Sequence, residues 1–215
     1  MPPSKISGPS KRPARALVLS GQEPFARGTK RHCYVHPDDP GLCVKVAARA
    51  DADCLREQGR DLRSYRWLRS LGSDSVFDRI PAIAGVVDTD LGRGIVMPLY
   101  RDQDGRISRN LSQVIRERGL TPSLIRAIDG MKRWLRSERV LTTDTSPYNM
   151  VAVRSAGGWT LMIIEGWENR KYRWLASLHP FVKDRLIARQ LRRFDRRVSR
   201  AAAASEAGSR SRAPP

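Results

Sequence analysis

The sequence predicts an α+β chain of two unequal lobes, a small antiparallel sheet followed by a helical half. Three observations predict it. Strand-like runs separated by turn residues crowd the chain as far as Leu99. Apolar residues at helical spacing dominate from Leu111 to Leu135 and return from Ile187 to Val198. Between these halves lies a polar break, Arg101-Asp-Gln-Asp-Gly105, which reads as a hinge. With 215 residues, 40% of them hydrophobic, the chain can bury one good core or two small lobes sharing a cleft.

The elements follow in order. Residues 1–14, rich in Pro, Ser, Lys and Arg, read as a disordered basic tail. Ala16 to Ser20 is the first strand candidate. The loop Phe25 to Tyr34 suits either contact with an anion or a solvated basic turn: Gly28 lets backbone amides approach a phosphate, and Lys30 and Arg31 supply charge. His36-Pro-Asp-Asp-Pro-Gly41 is a turn, and Leu42 to Ala47 a strand. Its alternation puts Leu42, Val44 and Val46 on one face and Cys43, Lys45 and Ala47 on the other. Lys45 is then either a lysine snorkelling to water or one that needs a charged partner on a covered face.

Asp53 to Leu71 reads as a helix capped by Asp53, with Leu55, Leu62, Tyr65 and Leu68 as its buried stripe. Glu57 and Asp61 lie one turn apart on it, and either suits a partner for Lys45 or for the helix dipole. Ile80 to Thr89 and Gly94 to Leu99 read as a hairpin. Leu111, Val114 and Ile115 mark a short helix ending at Gly119. Thr121 and Pro122 open another, with the stripe Leu124, Ile128, Met131 and Leu135. A last helix starts at Pro180, and residues 199–215 read as a second disordered tail. The expected division is therefore a tail over 1–14, a sheet lobe over 15–100, a helical lobe over 101–198 and a tail over 199–215.

Charge and cysteine content narrow the classes. The net charge is +18, and residues 170–198 hold ten basic residues against two acids. Such a surplus predicts an anionic partner without choosing among nucleic acid, acidic lipid and a phosphorylated or other anionic acceptor. No helix-turn-helix, zinc-ligand set or aromatic stacking strand is visible, which disfavours nucleic acid. Cys33, Cys43 and Cys54 have no paired spacing, and no secretory signal or membrane-length apolar run is visible. The expectation is a reduced, cytoplasmic setting. The apolar stripe Ile187, Leu191, Phe194 and Val198 either packs on the helical half or, with its arginines and with Trp159, Trp167 and Trp174, lies on an acidic membrane face. His32, His36 and His179 form no catalytic grouping and read as structural or surface residues.

The stretch from Val140 to Asn169 carries the chemistry. Asp144 is followed five residues later by Asn149, which opens an apolar run. Gly157 and Gly158 then turn the chain into a second run ending in Glu165-Gly166. A strand hairpin with polar groups at both ends, Asp144 and Asn149 before the first strand and Glu165 after the second, matches the layout of protein-kinase-type phosphoryl transfer. There an Asp orients the acceptor hydroxyl, an Asn holds metal and an acid after the hairpin completes the metal shell. The order counts for more than any one feature: a strand lysine, a helix acid, a break, an Asp-x4-Asn loop and a hairpin ending in an acid.

Several blocks resemble a known family. Arg31-His-Cys-Tyr34-Val-His36-Pro37, Cys43-Val-Lys45-Val, Arg60 to Leu68, Ile80-Pro81 with Val86 to Gly94, and Ser146-Pro147-Tyr-Asn149-Met look like successive blocks of the YrbL family, the "PhoP regulatory network protein" group. The resemblance covers roughly residues 15–198. It implies a two-lobed protein-kinase-like fold, similar to enzymes that phosphorylate lipopolysaccharide core sugars, with ATP and Mg²⁺ as cofactors. Residue by residue it implies Lys45 as the phosphate-aligning lysine and Asp61, better than Glu57, as its helix partner. Asp144 becomes the catalytic-loop Asp, and Asn149 and Glu165 the metal ligands. The chain departs from the kinase pattern at Glu165, where an Asp is usual, at Thr142-Thr143 before the catalytic Asp, and in its glycine-poor phosphate loop. A regulatory pseudokinase that keeps the fold without turnover is therefore the alternative reading.

Overall fold

The computed structural model describes residues 16–70, 74–166 and 180–210. Outside the described residues lie the tail over 1–14, the helix end at Leu71, the side chain of Glu57, the tryptophans Trp167 and Trp174, His179, and residues 211–215 of the second tail. The first half holds β1 (Ala26–Arg27), β2 (Arg31–His36), β3 (Asp39–Ala47), helix α1 (Ala52–Ser70), β4 (Gly85–Thr89) and β5 (Gly92–Pro98). The strands form one antiparallel sheet in the order β1-β2-β3-β5-β4. The second half holds α2 (Leu111–Arg118), α3 (Pro122–Ser137), the hairpin β6 (Met150–Ser155) and β7 (Gly158–Ile163), and the long helix α4 (Pro180–Arg210).

Central β3 is covered on both faces, which its alternation dictates. Val44 and Val46 join Tyr34, Val96 and Leu19 in a small cluster on one face. Cys43 and Met97 belong to the main core on the other. That core continues through Leu111, Ile115, Leu124, Met131, Leu135, Met150 and Leu161, all fully buried. Burial of each large apolar side chain contributes about 1.5–3 kcal/mol. The stripe of α4 is spent here too, since Ile187, Leu191, Phe194 and Val198 are all buried. Its apolar face is therefore packed on protein rather than open to a membrane, and its arginine face is left to solvent. No described helix is long and apolar enough to cross a membrane.

Local signals explain the helix starts. Asn110 caps α2 by a capping box with Gln113, and the Thr121 side chain accepts from the Leu124 amide at the start of α3. The cap of α1 is Asp51, whose Oδ1 accepts from the Cys54 amide at 2.8 Å. Asp53 pairs with Lys30 instead.

Four other expectations are corrected. Ala16 to Ser20 forms only a single bridge, Leu17 to Thr89, because the Asp90 carboxylate takes the amides of Leu19 and Ser20 and turns the chain off the sheet. The strand expected from Ile80 begins only at Gly85. Pro81 lacks a donor, and the Arg79 carbonyl is bonded to Ile163 of β7. Leu55 is 49% exposed while Cys54, Gln58 and Asp61 face inward, since Gln58 and Asp61 find polar partners on the sheet. Finally, residues 199–210 are helical rather than a disordered tail: the alanine run has high helix propensity, and Ala201 and Ala202 pack against the core.

Candidate active site

The polar break after β5 is pinned. Asp102 Oδ1 accepts from the Arg154 amide and the Ser108 hydroxyl, and the Gln103 amide donates to the Arg154 carbonyl. The junction between the halves is thus tied to β6, the strand that Asn149 precedes.

Asp144 sits in a loop held from two sides. Gly166 presses on it, and the Thr143 amide and hydroxyl both donate to the Gly166 carbonyl, at 2.7 and 2.9 Å. On the other side, Gln190 of α4 accepts from the Thr142 amide and donates to the Val140 carbonyl. Gly166 has φ +77, and a Cβ there would stand 2.9 Å from the Asp144 carbonyl oxygen, so only glycine closes this contact without strain. The Asp144 carboxylate accepts from the Ser146 amide at 3.0 Å and from Asn149 Nδ2 at 3.1 Å, and it pairs with Arg197 of α4. Donation through Nδ2 leaves the Asn149 Oδ1 as an acceptor. The Asn149 carbonyl accepts from the Ile164 amide, which fixes the end of β7 beside it.

Lys45 reaches this cluster from the sheet. Its ammonium lies 3.0 Å from the Ile164 carbonyl and 3.3 Å from Glu165 Oε1. The lysine side chain is 5% exposed and Glu165 40%, so the cation is covered and its partner is half-exposed. A chain of contacts thus links Lys45 through Glu165 and Ile164 to Asn149 and Asp144.

The helix acid goes elsewhere. Asp61 of α1 pairs with Arg31 of β2, both side chains buried. The register explains the exchange. Cys33 faces Lys45 across β2 and β3, and Arg31 faces Ala47, so Arg31 lies on the same side of the sheet as the lysine. The expected Lys45–Asp61 pair is not formed: Arg31 holds Asp61, and Lys45 has turned to Glu165. In the β1–β2 loop, the Gly28 amide donates to the Arg31 carbonyl, and Lys30 is engaged by Asp53. The three groups expected to contact phosphate are thus bonded within the protein. Burial raises the Cys33 thiol, with Lys45 opposing, and pushes Cys43 up to about 12. Both are neutral at ordinary pH and are poor nucleophiles.

The fold and cluster can be compared with known proteins. The family model of the PhoP regulatory network protein YrbL matches residues 17–199. The chain belongs to the YrbL family. Among curated proteins, the YrbL proteins of Escherichia coli (strain K12) and Shigella flexneri are each 30% identical to it over 141 residues. That alignment covers 64% of this chain and 66% of each relative, just under two thirds of its length. Among solved structures, Rad53 1–466 in complex with AMP-PNP matches with a TM-score of 0.50 and 13% identity, over 74% of this chain and 40% of that one. At that identity the match shows the fold, which is protein-kinase-like.

Within this YrbL-family fold, three residues that matter at the site were not legible as such. Arg31 reads in the sequence as loop charge, and the structure makes it the partner of a helix acid. Gln190 and Arg197 lie on a helix read as packing or membrane-facing. The spacing of Arg189, Arg193 and Arg197, one per turn on one face, is the signal that points at the Asp144 loop.

Proposed function

We propose that the chain binds Mg·ATP between its sheet and its helical half and transfers the terminal phosphoryl group to a hydroxyl acceptor. One observation carries this reading: Lys45 of β3 meets Glu165 beside Asn149 and Asp144, although these residues are about a hundred positions apart in the chain. The solved kinase it resembles was captured with AMP-PNP, which supports a nucleotide in the corresponding cleft.

Each residue then has a role. Lys45 would exchange its bond to Glu165 for nucleotide phosphate oxygens. Asn149 Oδ1 and the Glu165 carboxylate are hard oxygen donors of the type Mg²⁺ takes. No cluster of three or more His, Cys, Asp and Glu suited to a metal occurs among the described residues, so phosphate oxygens and water would complete the shell. When bound, the metal offsets charge on the phosphates. Asp144, oriented by Ser146 and Asn149, would accept a hydrogen bond from the acceptor hydroxyl and hold it in line. With ATP and acceptor as reactants, the oxygen–phosphorus bond to ADP would break as the bond to the acceptor oxygen forms, and the hydroxyl proton would pass to the Asp144 carboxylate.

A second reading, a non-catalytic nucleotide-binding module, is favoured by one contact: Arg197 occupies Asp144 Oδ1. Release or transfer of labelled phosphate from Mg·ATP separates the two. Turnover in the native chain that falls by at least about a hundredfold in Asp144→Asn supports transfer. Binding without turnover supports the module.

A further inference from the structure

The loop around Asp144 and the exposed face of α4 enclose a small cavity that the nucleotide reading does not use. Thr142, Thr143 and Thr145 line it from the loop, and Arg189, Arg193 and Arg197 from the helix. The space open to a water-sized group is about 30 Å³. That admits the inner oxygens of one small anion, not a sugar ring.

Two independent features point to a ligand. Thr142 is 4% exposed, and its Oγ1 is a buried hydroxyl with no hydrogen-bond partner among the described residues. Its amide is already taken by Gln190, so the hydroxyl is the group left over. An orphan of this kind is uncommon and costly unless something binds it. The arginines supply the second feature. The neighbouring acids of α4, Asp184 and Asp195, pair with Arg139 and Lys132, which leaves Arg189 and Arg193 without a carboxylate among the described residues. Arg197 reaches past the cavity to Asp144.

We propose that this cavity binds a phosphomonoester group carried by the acceptor. Guanidinium forks suit its oxygens, and the Thr142 hydroxyl donates to the innermost one. The Arg197–Asp144 pair is partly open to water, each side chain 42% exposed, so it is a weak contact that a dianion can outcompete. Seating the anion would draw Arg197 toward the cavity and leave Asp144 free for the acceptor hydroxyl. The role for the acceptor rests on the kinase-like reading of the site; the binding of the anion does not.

The test is the thermal shift of the full chain in millimolar inorganic phosphate against chloride at matched ionic strength, with Mg·ATP measured in parallel. Phosphate is expected to stabilise the native chain. The double variant Arg189→Ala/Arg193→Ala, altered only at exposed positions, is expected to bind it about tenfold or more weakly while keeping its response to Mg·ATP. Thr142→Val is expected to weaken phosphate and Thr142→Ser to restore it. Co-sedimentation with phosphatidylcholine vesicles, with and without phosphatidic acid, separates the sources. Arginine-dependent capture by phosphatidic acid indicates a lipid-borne group, and its absence beside a phosphate shift indicates a soluble one. No phosphate shift in the native chain, or an equal shift in the double variant, overturns the proposal. A phosphate response lost with the arginines in a chain that ignores Mg·ATP keeps the cavity and removes the nucleotide reading.

Discussion

The sheet side and the helical side of the candidate site carry charge in opposite ways. On the sheet side, Lys45 and Arg31 are 4% and 6% exposed, and each has a carboxylate partner. On the helical side, Asp144 and Arg197 are each 42% exposed. A pair buried on both sides, such as Arg31–Asp61, has lost its water and is held as a structural necessity. An exposed pair keeps most of its hydration and can be exchanged. The Arg31–Asp61 pair, buried on both sides, therefore behaves as a fixed frame, whereas Lys45, whose partner Glu165 is 40% exposed, and Asp144 can change partners.

Breaking the frame should cost most. Asp61→Ala removes the carboxylate that Arg31 pairs with and is expected to destabilise the chain by about 3 kcal/mol or more in urea unfolding. The apolar replacement Arg31→Met/Asp61→Leu should recover most of that loss. A loss below about 1 kcal/mol in the single variant would show that the Arg31–Asp61 pair is not the frame described.

Gly166→Ala acts where the two sides meet. The positive φ and the close approach to Asp144 predict a cost of about 1–3 kcal/mol, with loss of the response to Mg·ATP. Loss of stability with an unchanged nucleotide response would separate the loop from the site. Arg197→Ala, on the helical side, is expected to change stability by no more than about 1 kcal/mol. A cost approaching that of Asp61→Ala would erase the contrast between the two sides.

The smallest effect concerns pH at the start of α1. The Cys54 amide, then Arg49, hold the Asp51 carboxyl well below the usual carboxylate range. A depressed folded value means its contribution is complete above the ordinary value near about 4 and is lost as pH falls through the lower folded one. Asp51→Asn should therefore flatten the acid limb of a stability–pH curve and leave the neutral region nearly unchanged. An acid limb of unaltered slope would argue against that linkage.

Much of this architecture was legible because local chemistry and burial agree. The alternation of β3, the caps Asn110 and Thr121, and the Gly157-Gly158 hairpin each have a local cause. The neighbourhood of Asp144, Asn149 and Glu165 follows from a hairpin that returns the chain to its starting end. What sequence reasoning missed depends on long-range pairing. Leu55 looked apolar enough to be core, but the inward face of α1 was set by Gln58 and Asp61 finding partners on β2 and β5. The resemblance implies Asp61 as the partner of Lys45, and the sequence alone does not show which of two cations on one sheet face holds a helix acid. Residues 16–20 looked like a strand until the Asp90 side chain, seventy positions away, took their amides. The alanines after Ser199 have high helix propensity, and what the sequence alone does not show is that they continue a helix already packed on the core.

The central claim is that one nucleotide contacts both sides, and calorimetric titration of Mg·ATP tests it most directly. The account predicts Mg²⁺-dependent binding to the native chain, weakened about tenfold or more both by Lys45→Met on the sheet and by Asn149→Ala on the helical side. Binding that is absent, or that survives intact in either folded variant, would contradict it.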